Sequence, residues 1–175
     1  MELLSHLPKV WTTISAFNST IVPALSPLQI LIQTELTVPF DDSEAELLVN
    51  LIQSEQQCSF SFVELVYVDE QEIIRVNKEF LSRDYVTDII SFRYDDEDNP
   101  ENNSNSDIEG SLICCAPRIK EQALEFNQPE KLEFLRILVH GLLHLIGYDD
   151  QTPEEKAEMT RLEDHFLSKL SLESL

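Results

Sequence analysis

Two kinds of apolar pattern alternate along this chain: short runs of strand length and longer stripes at helical spacing. Residues 28–34 (LQILIQT) and 62–68 (FVELVYV) are β-branched or apolar runs that predict strands. Between them, Ala45, Leu48, Val49 and Ile52 mark one face of a helix over 42–55. A second helix is predicted over 69–80, with Asp69 as N-cap and Ile73, Ile74, Val76 and Phe80 on its apolar face. Two short strands follow, 88–94 (DIISFRY) and 110–115 (GSLICC). Pro117 and Pro129 then sit at early positions of two more helices, the first running to about Phe126. A last helix opens at Thr152-Pro153-Glu154-Glu155, a good cap and first turn, and continues to about Leu170. This order predicts an α/β (α+β) fold, one small mixed sheet covered by helices, without internal repeats.

A length of 175 residues suits one domain with a single core. We place that domain at 28–172, preceded by an N-terminal extension over 1–27 in which Pro8, Pro23 and Pro27 interrupt the apolar stretches. No uninterrupted apolar run approaches the roughly 20 residues of a membrane span, so no membrane partner is expected. The extension is poor in acid, as organelle transit peptides are, but Lys9 is its only basic residue. Three cysteines, Cys58, Cys114 and Cys115, lack C-x-x-C spacing, and the adjacent pair would point to opposite faces of a strand, which suits a reducing cytoplasm.

The net charge of −21 argues against binding nucleic acid through general phosphate attraction, so any such contact must be local. Much of the acid lies in a polar stretch at 95–108, read as a mobile loop. It lacks the alternating acids, sixth-position glycine and twelfth-position glutamate of a calcium loop.

The chemistry is concentrated in residues 140–150, His-Gly-Leu-Leu-His-Leu-Ile-Gly-Tyr-Asp-Asp. His140 and His144 at i and i+4 share a helix face and can grip one ion from the same side. Asp150 cannot join them by continuing that helix, since six more residues would carry it about 9 Å along the axis. Gly147 answers this, because a glycine past the last turn can end the helix in the left-handed conformation and fold Tyr148, Asp149 and Asp150 back. The chain has only three glycines, two of them here; Gly141, in mid-helix, suggests that a side chain would collide with a neighbouring backbone or block the metal face. The plain alternative is a buried helix with ordinary core histidines. Zinc peptidases share the H-x3-H-x2-G-x2 spacing, but their general-base glutamate follows the first histidine, where this chain has Gly141.

The stretch resembles the YbeY family of bacterial rRNA-maturation endoribonucleases, whose signature H-G-x-L-H-L-x-G-Y-D-H is matched through Asp149. Val76-Asn77-Lys78-Glu79-Phe80 with Thr87-Asp88-Ile89-Ile90-Ser91-Phe92 resembles the family's L-N-x-x-[YF]…P-T-[DN]-V-L-S-F segment, and Gly110 to Cys114 falls where it has G-D-[IL]-x-I. The likeness covers roughly residues 60 to 165. It implies a roughly four-stranded mixed sheet with five or six helices, a zincin-like metal-binding helix, one Zn2+ per chain, and single-strand-specific RNA cleavage. The implied role is 3′-end maturation of small-subunit (16S) rRNA and ribosome quality control. Implied partners are rRNA and the small ribosomal subunit, with ribosomal proteins or an assembly GTPase, and no DNA. The chain departs from the family at four places: Asp150 for the third metal-binding histidine, Leu81 for an arginine, Ser111 for the aspartate of the G-D strand and Val86 for a proline.

The expected metal ligands are therefore His140, His144 and Asp150, and a His2Asp set makes the metal a weaker Lewis acid toward bound water than three histidines would. Arg83, two residues from Leu81, is the candidate catalytic residue that neutralises a phosphate, with Lys78 and Arg93 behind it. Asp88 and Ser91 are expected to shape a turn and a strand. His165 is a rival third ligand with a packing role as the plainer fate; His6 has no evident task. Tyr148 and Phe92 are either base-stacking aromatics or core residues. The expected function is a cytoplasmic, metal-dependent endoribonuclease. The alternatives are a non-catalytic ribosome-assembly binding factor with a structural metal and, further off, a zinc metallopeptidase.

Overall fold

The computed structural model describes residues 17–20, 27–33, 35–94 and 107–173. Nearly all of the acidic loop expected at 95–108, and most of the 1–27 extension including His6, lie outside the described residues. Five strands form one sheet in the order β1-β2-β3-β5-β4: β1 (Phe17–Thr20), β2 (Leu28–Gln33), β3 (Phe60–Val68), β4 (Ile89–Tyr94) and β5 (Ile108–Cys115). β2 runs parallel to β3 and β3 parallel to β5, while β1 and β4 pair antiparallel on the two edges. Four of the strands are the expected ones. β1 is additional, a short edge strand inside the segment set apart as an extension, where four residues between prolines carry too little pattern to announce a strand.

Five helices, α1 (Asp42–Gln56), α2 (Glu70–Leu81), α3 (Ala116–Glu125), α4 (Glu130–Leu145) and α5 (Pro153–Glu173), cover the sheet. Side chains alternate across each strand, so β3 sends Leu65 and Tyr67 to one face and Val66 and Val68 to the other. The first face carries the larger core, built with α1, α3, α4 and α5; the second is closed by Ile73 and Val76 of α2. Cys114 and Cys115 fall on opposite faces, both buried. The caps are those the composition suggests. Asp41 and Glu44 form a reciprocal capping box, Asp69 accepts from the Glu72 amide at 2.8 Å, and Thr152 and Glu155 exchange the same pair of bonds.

α4 is the central helix of the larger core. Phe134, Leu138, Leu142 and Leu143 are fully buried, each contributing about 1.5–3 kcal/mol by removal from water. Two glycines let it lie close to the sheet. A Cβ on Gly141 would stand 2.6 Å from Ile89 Cδ1 and 2.8 Å from Leu112 Cδ2, so the constraint inferred at this position comes from packed side chains of β4 and β5. It is neither a neighbouring backbone nor the metal face that excludes the side chain. A Cβ on Gly110 would stand 2.6 Å from the Phe92 carbonyl oxygen and 2.7 Å from Leu145 Cδ2, between a sheet backbone and the end of α4.

Gly110→Ala is therefore expected to destabilise the fold by about 1–3 kcal/mol through overpacking. Gly147, at φ +102° with nothing near its missing Cβ, should cost about 1–2 kcal/mol on substitution by alanine through backbone strain alone. Urea denaturation of both variants measures this, and wild-type stability of Gly110→Ala would contradict the close approach.

Candidate metal centre

His140 and His144 stand one turn apart on the face of α4 that looks past the edge of the sheet, both partly buried. Their Nε2 atoms approach to 2.9 Å, and the rings meet nearly edge to face. Each Nδ1 is engaged elsewhere: His140 Nδ1 lies 2.8 Å from Glu163 Oε1 on α5, and His144 Nδ1 lies 2.9 Å from the Tyr148 carbonyl oxygen. The Tyr148 carbonyl can only accept, so His144 Nδ1 is the donor there, and with a carboxylate as acceptor His140 Nδ1 donates in the same way, which leaves the Nε2 lone pairs of the neutral rings facing each other. Two lone pairs so close repel unless a proton or a cation lies between them.

The turn after α4 supplies the third group. Gly147 donates to the His144 carbonyl at 3.0 Å and Tyr148 to the Leu143 carbonyl at 3.1 Å, the paired bonds of a Schellman ending. The Tyr148 hydroxyl, bonded to Gln56 Oε1 at 2.8 Å, ties this turn to the end of α1. Asp150 is thereby folded back, and its carboxylate and the two imidazoles offer ligand atoms that all lie within 4.8 Å of one another. Two imidazole nitrogens and one carboxylate oxygen are a donor set suited to a divalent cation, so this group could hold a metal ion.

Two opposing shifts mark the pair. Burial pushes the His140 pKa down, but the Glu163 hydrogen bond and charge, with Asp88 and Asp150 beyond, outweigh it and hold the group above the ordinary imidazole value. His144 is held below that value by burial and by the neighbouring His140, against weaker help from the Tyr148 carbonyl and Asp150.

The cluster forms one side of an open cleft of about 610 Å³. Arg83, Arg93 and Lys156 also line it. Arg83 is exposed and, among the described residues, paired with no carboxylate, whereas Arg93 donates to the Leu145 carbonyl at 2.9 Å. Lys78 is not at the cleft; it pairs with Asp84 at 2.8 Å. The loop that carries Arg83 is held by Asn77, which is 1% exposed: its side-chain amide nitrogen donates to the Tyr85 carbonyl at 2.9 Å, and its backbone carbonyl accepts from the Arg83 amide at 3.2 Å. Leu81 lines the cleft where the family arginine is expected.

The remaining candidates separate cleanly. Asp88 accepts from the Ile89 amide and from Gln122, fixing the entry to β4, as expected of a turn residue. Ser91 lines the cleft with its hydroxyl buried and unpartnered among the described residues. Phe92 packs edge-on to Phe80 beneath α2, whereas Tyr148 is half-buried against the main core and also lines the cleft. His165 pairs with Glu55 at 2.6 Å on α1, outside the cluster. Ser111 faces away from the cleft toward Glu64 and Tyr94. Sequence reasoning missed Glu163 and its partner Arg136. The available signal was an acid placed among Met159, Leu162, Phe166 and Leu167, an otherwise apolar face of α5.

Comparison with known proteins is decisive here. The family described as Endoribonuclease YbeY matches residues 32–171. An Endoribonuclease YbeY of Chlorobaculum tepidum is 34% identical over 144 residues, 82% of this chain and 98% of the relative. The chain belongs to the YbeY endoribonuclease family. Another YbeY, of Ureaplasma urealyticum, is 32% identical over 150 residues, covering 83% of this chain and 94% of the relative. The solution structure of TM1509 from Thermotoga maritima shares the fold, with a TM-score of 0.54 at 24% identity over 83% of this chain and 90% of that one. No helix among the described residues of this YbeY-family chain is long and apolar enough to cross a membrane.

In metal-free protein His140 should take its proton at a higher pH than an ordinary imidazole and His144 at a lower one, so the pair titrates in two separated steps. NMR titration of the ring resonances tests this, and coincident curves would contradict the arrangement. Asn77→Ala should cost about 1–3 kcal/mol in stability and raise amide exchange across residues 82–87; unchanged exchange would mean that the loop is held by something else.

Proposed function

We propose that this endoribonuclease cuts single-stranded RNA with a zinc ion held by His140, His144 and Asp150, and that it acts in the cytoplasm in 3′-end maturation of 16S rRNA and in ribosome quality control. The observation that carries the metal assignment is the pair of Nε2 atoms 2.9 Å apart, each ring committed at Nδ1 to an acceptor. When bound, zinc supplies Lewis acidity toward a phosphoryl oxygen or an attacking water.

The chain's own residues do the rest. Arg83 neutralises a phosphate of the substrate at the rim of the cleft, a task for which its lack of a carboxylate partner among the described residues leaves it free. Asp150, an anion beside two imidazoles, helps hold the metal while lowering the net positive charge at the site. Gly141 leaves no carboxylate in the position where a zinc peptidase keeps its base, so the peptidase reading loses its catalytic group. The open cleft, about 610 Å³, admits a flexible strand, and in a chain of net charge −21 the attraction for RNA has to come from these few cations. The small ribosomal subunit, through its rRNA and proteins or an assembly GTPase, would then bring substrate to a surface that repels RNA elsewhere. One observation favours the second reading, a binding factor with a structural metal: Leu81 puts an apolar side chain, 41% exposed, at the cleft position of the family arginine.

Cleavage of a single-stranded RNA carrying a 16S 3′ tail decides between them. Wild-type protein should cut it, lose activity to a chelator and recover with zinc. His144→Ala should lose more than roughly 100-fold, and Arg83→Ala about 10- to 100-fold, the worth of a charge-assisted hydrogen bond. Zinc-loaded wild type that binds the RNA without cutting it would establish the binding factor. For the third ligand, Asp150→Ala should weaken zinc binding severely, Asp149→Ala much less, and Asp150→His should restore it. Full zinc affinity in Asp150→Ala would remove Asp150 from the ligand set.

A further inference from the structure

Behind the two histidines lies a buried ionic arrangement that the cleavage chemistry does not itself require. Glu163 on α5 is 7% exposed, and its two carboxylate oxygens are divided between two partners. Oε1 faces His140 Nδ1 at 2.8 Å, and Oε2 accepts from Arg136 at 3.1 Å. Arg136 stands one turn before His140 on α4, and its other terminal nitrogen is 2.7 Å from Asp164. The carboxylate is thus fixed in rotation from one side and meets the imidazole from the other. An ion pair between α4 and α5 would need only Arg136 and Asp164; burying a second carboxylate is costly, and its free oxygen is spent on a histidine.

We infer that Glu163 is the positioning residue of the metal site: it holds the proton of His140 on Nδ1 and the ring in one orientation, so that Nε2 faces His144, and Arg136 holds Glu163. This rests on the zinc reading above. A carboxylate behind a ligating imidazole also makes its other nitrogen a stronger donor, so the effect falls on metal affinity as well as geometry. Through the same contact, docking of α5 on α4 becomes a condition for an ordered site.

The test is zinc affinity by competition with a chromophoric chelator, together with the His140 Nδ1 proton seen by NMR in zinc-loaded protein. Wild type should show that proton far downfield, as a charge-assisted bond requires. Glu163→Ala should weaken zinc binding by roughly 10- to 100-fold. Glu163→Gln keeps the size and an acceptor; it should fold, weaken binding less, and move the proton resonance upfield. Arg136→Met should weaken zinc binding in the same direction while Glu163 stays in place. Wild-type affinity in the Glu163 variants, with an unmoved resonance in Glu163→Gln, would overturn the inference while leaving the zinc site standing, with His144→Ala as the control that abolishes binding. A wild-type protein that takes up no zinc would overturn both.

Discussion

The close approach of α4 to the sheet is the constraint on which the site depends. With no side chain at Gly141 or Gly110, the helix settles with Gly141 against Ile89 and Leu112 and with Leu145 over Gly110 at its end. That contact sets the depth at which His140 and His144 emerge at the sheet edge, beside the loop bearing Arg83. A helix held away by a methyl group would carry both imidazoles with it, because they are rigidly spaced on α4 while the opposite side of the cleft belongs to β4 and the loop after α2. Close packing transmits such a displacement, since a dense interior has little room to absorb it.

Polar groups then refine what packing has placed. Asn77 turns a buried amide into the tether of the Arg83 loop, and the Tyr148 hydroxyl ties the turn after α4 to α1. Glu163 and Arg136 do the same for His140 from behind. In each case a buried or half-buried polar side chain bonds to a backbone or side-chain partner outside its own element, so its contribution is to specify geometry, with little net gain in stability.

Charge shapes the surroundings of the site differently. The surface as a whole repels polyanions, and the described cations of the cleft are few: Arg83 and Lys156 at the rim, with Arg93 partly committed to the end of α4. An RNA-cutting enzyme built this way gains discrimination against indiscriminate binding at the expense of long-range attraction. Leu81 and Asp150 bear on the same point, since an apolar side chain and a carboxylate lining the cleft add no positive charge there.

Much of this was legible before any coordinate. The strands β2 to β5, the helix caps at Asp69 and Thr152, and the His140, His144 and Gly147 spacing are local patterns, and local patterns are written in consecutive residues: period, cap and turn each need only a few neighbours. The resemblance to the family rests on the same short segments. What the tertiary structure alone decided are relations between residues far apart in the chain. The short strand at Phe17–Thr20 exists because β2 offers it an edge, and the reason for Gly141 is Leu112 and Ile89. His165 is drawn away by Glu55, more than a hundred residues earlier, and His140 is oriented by Glu163, from a separate helix. No periodicity encodes such pairings, because each depends on how two separately formed elements are pressed together by the core.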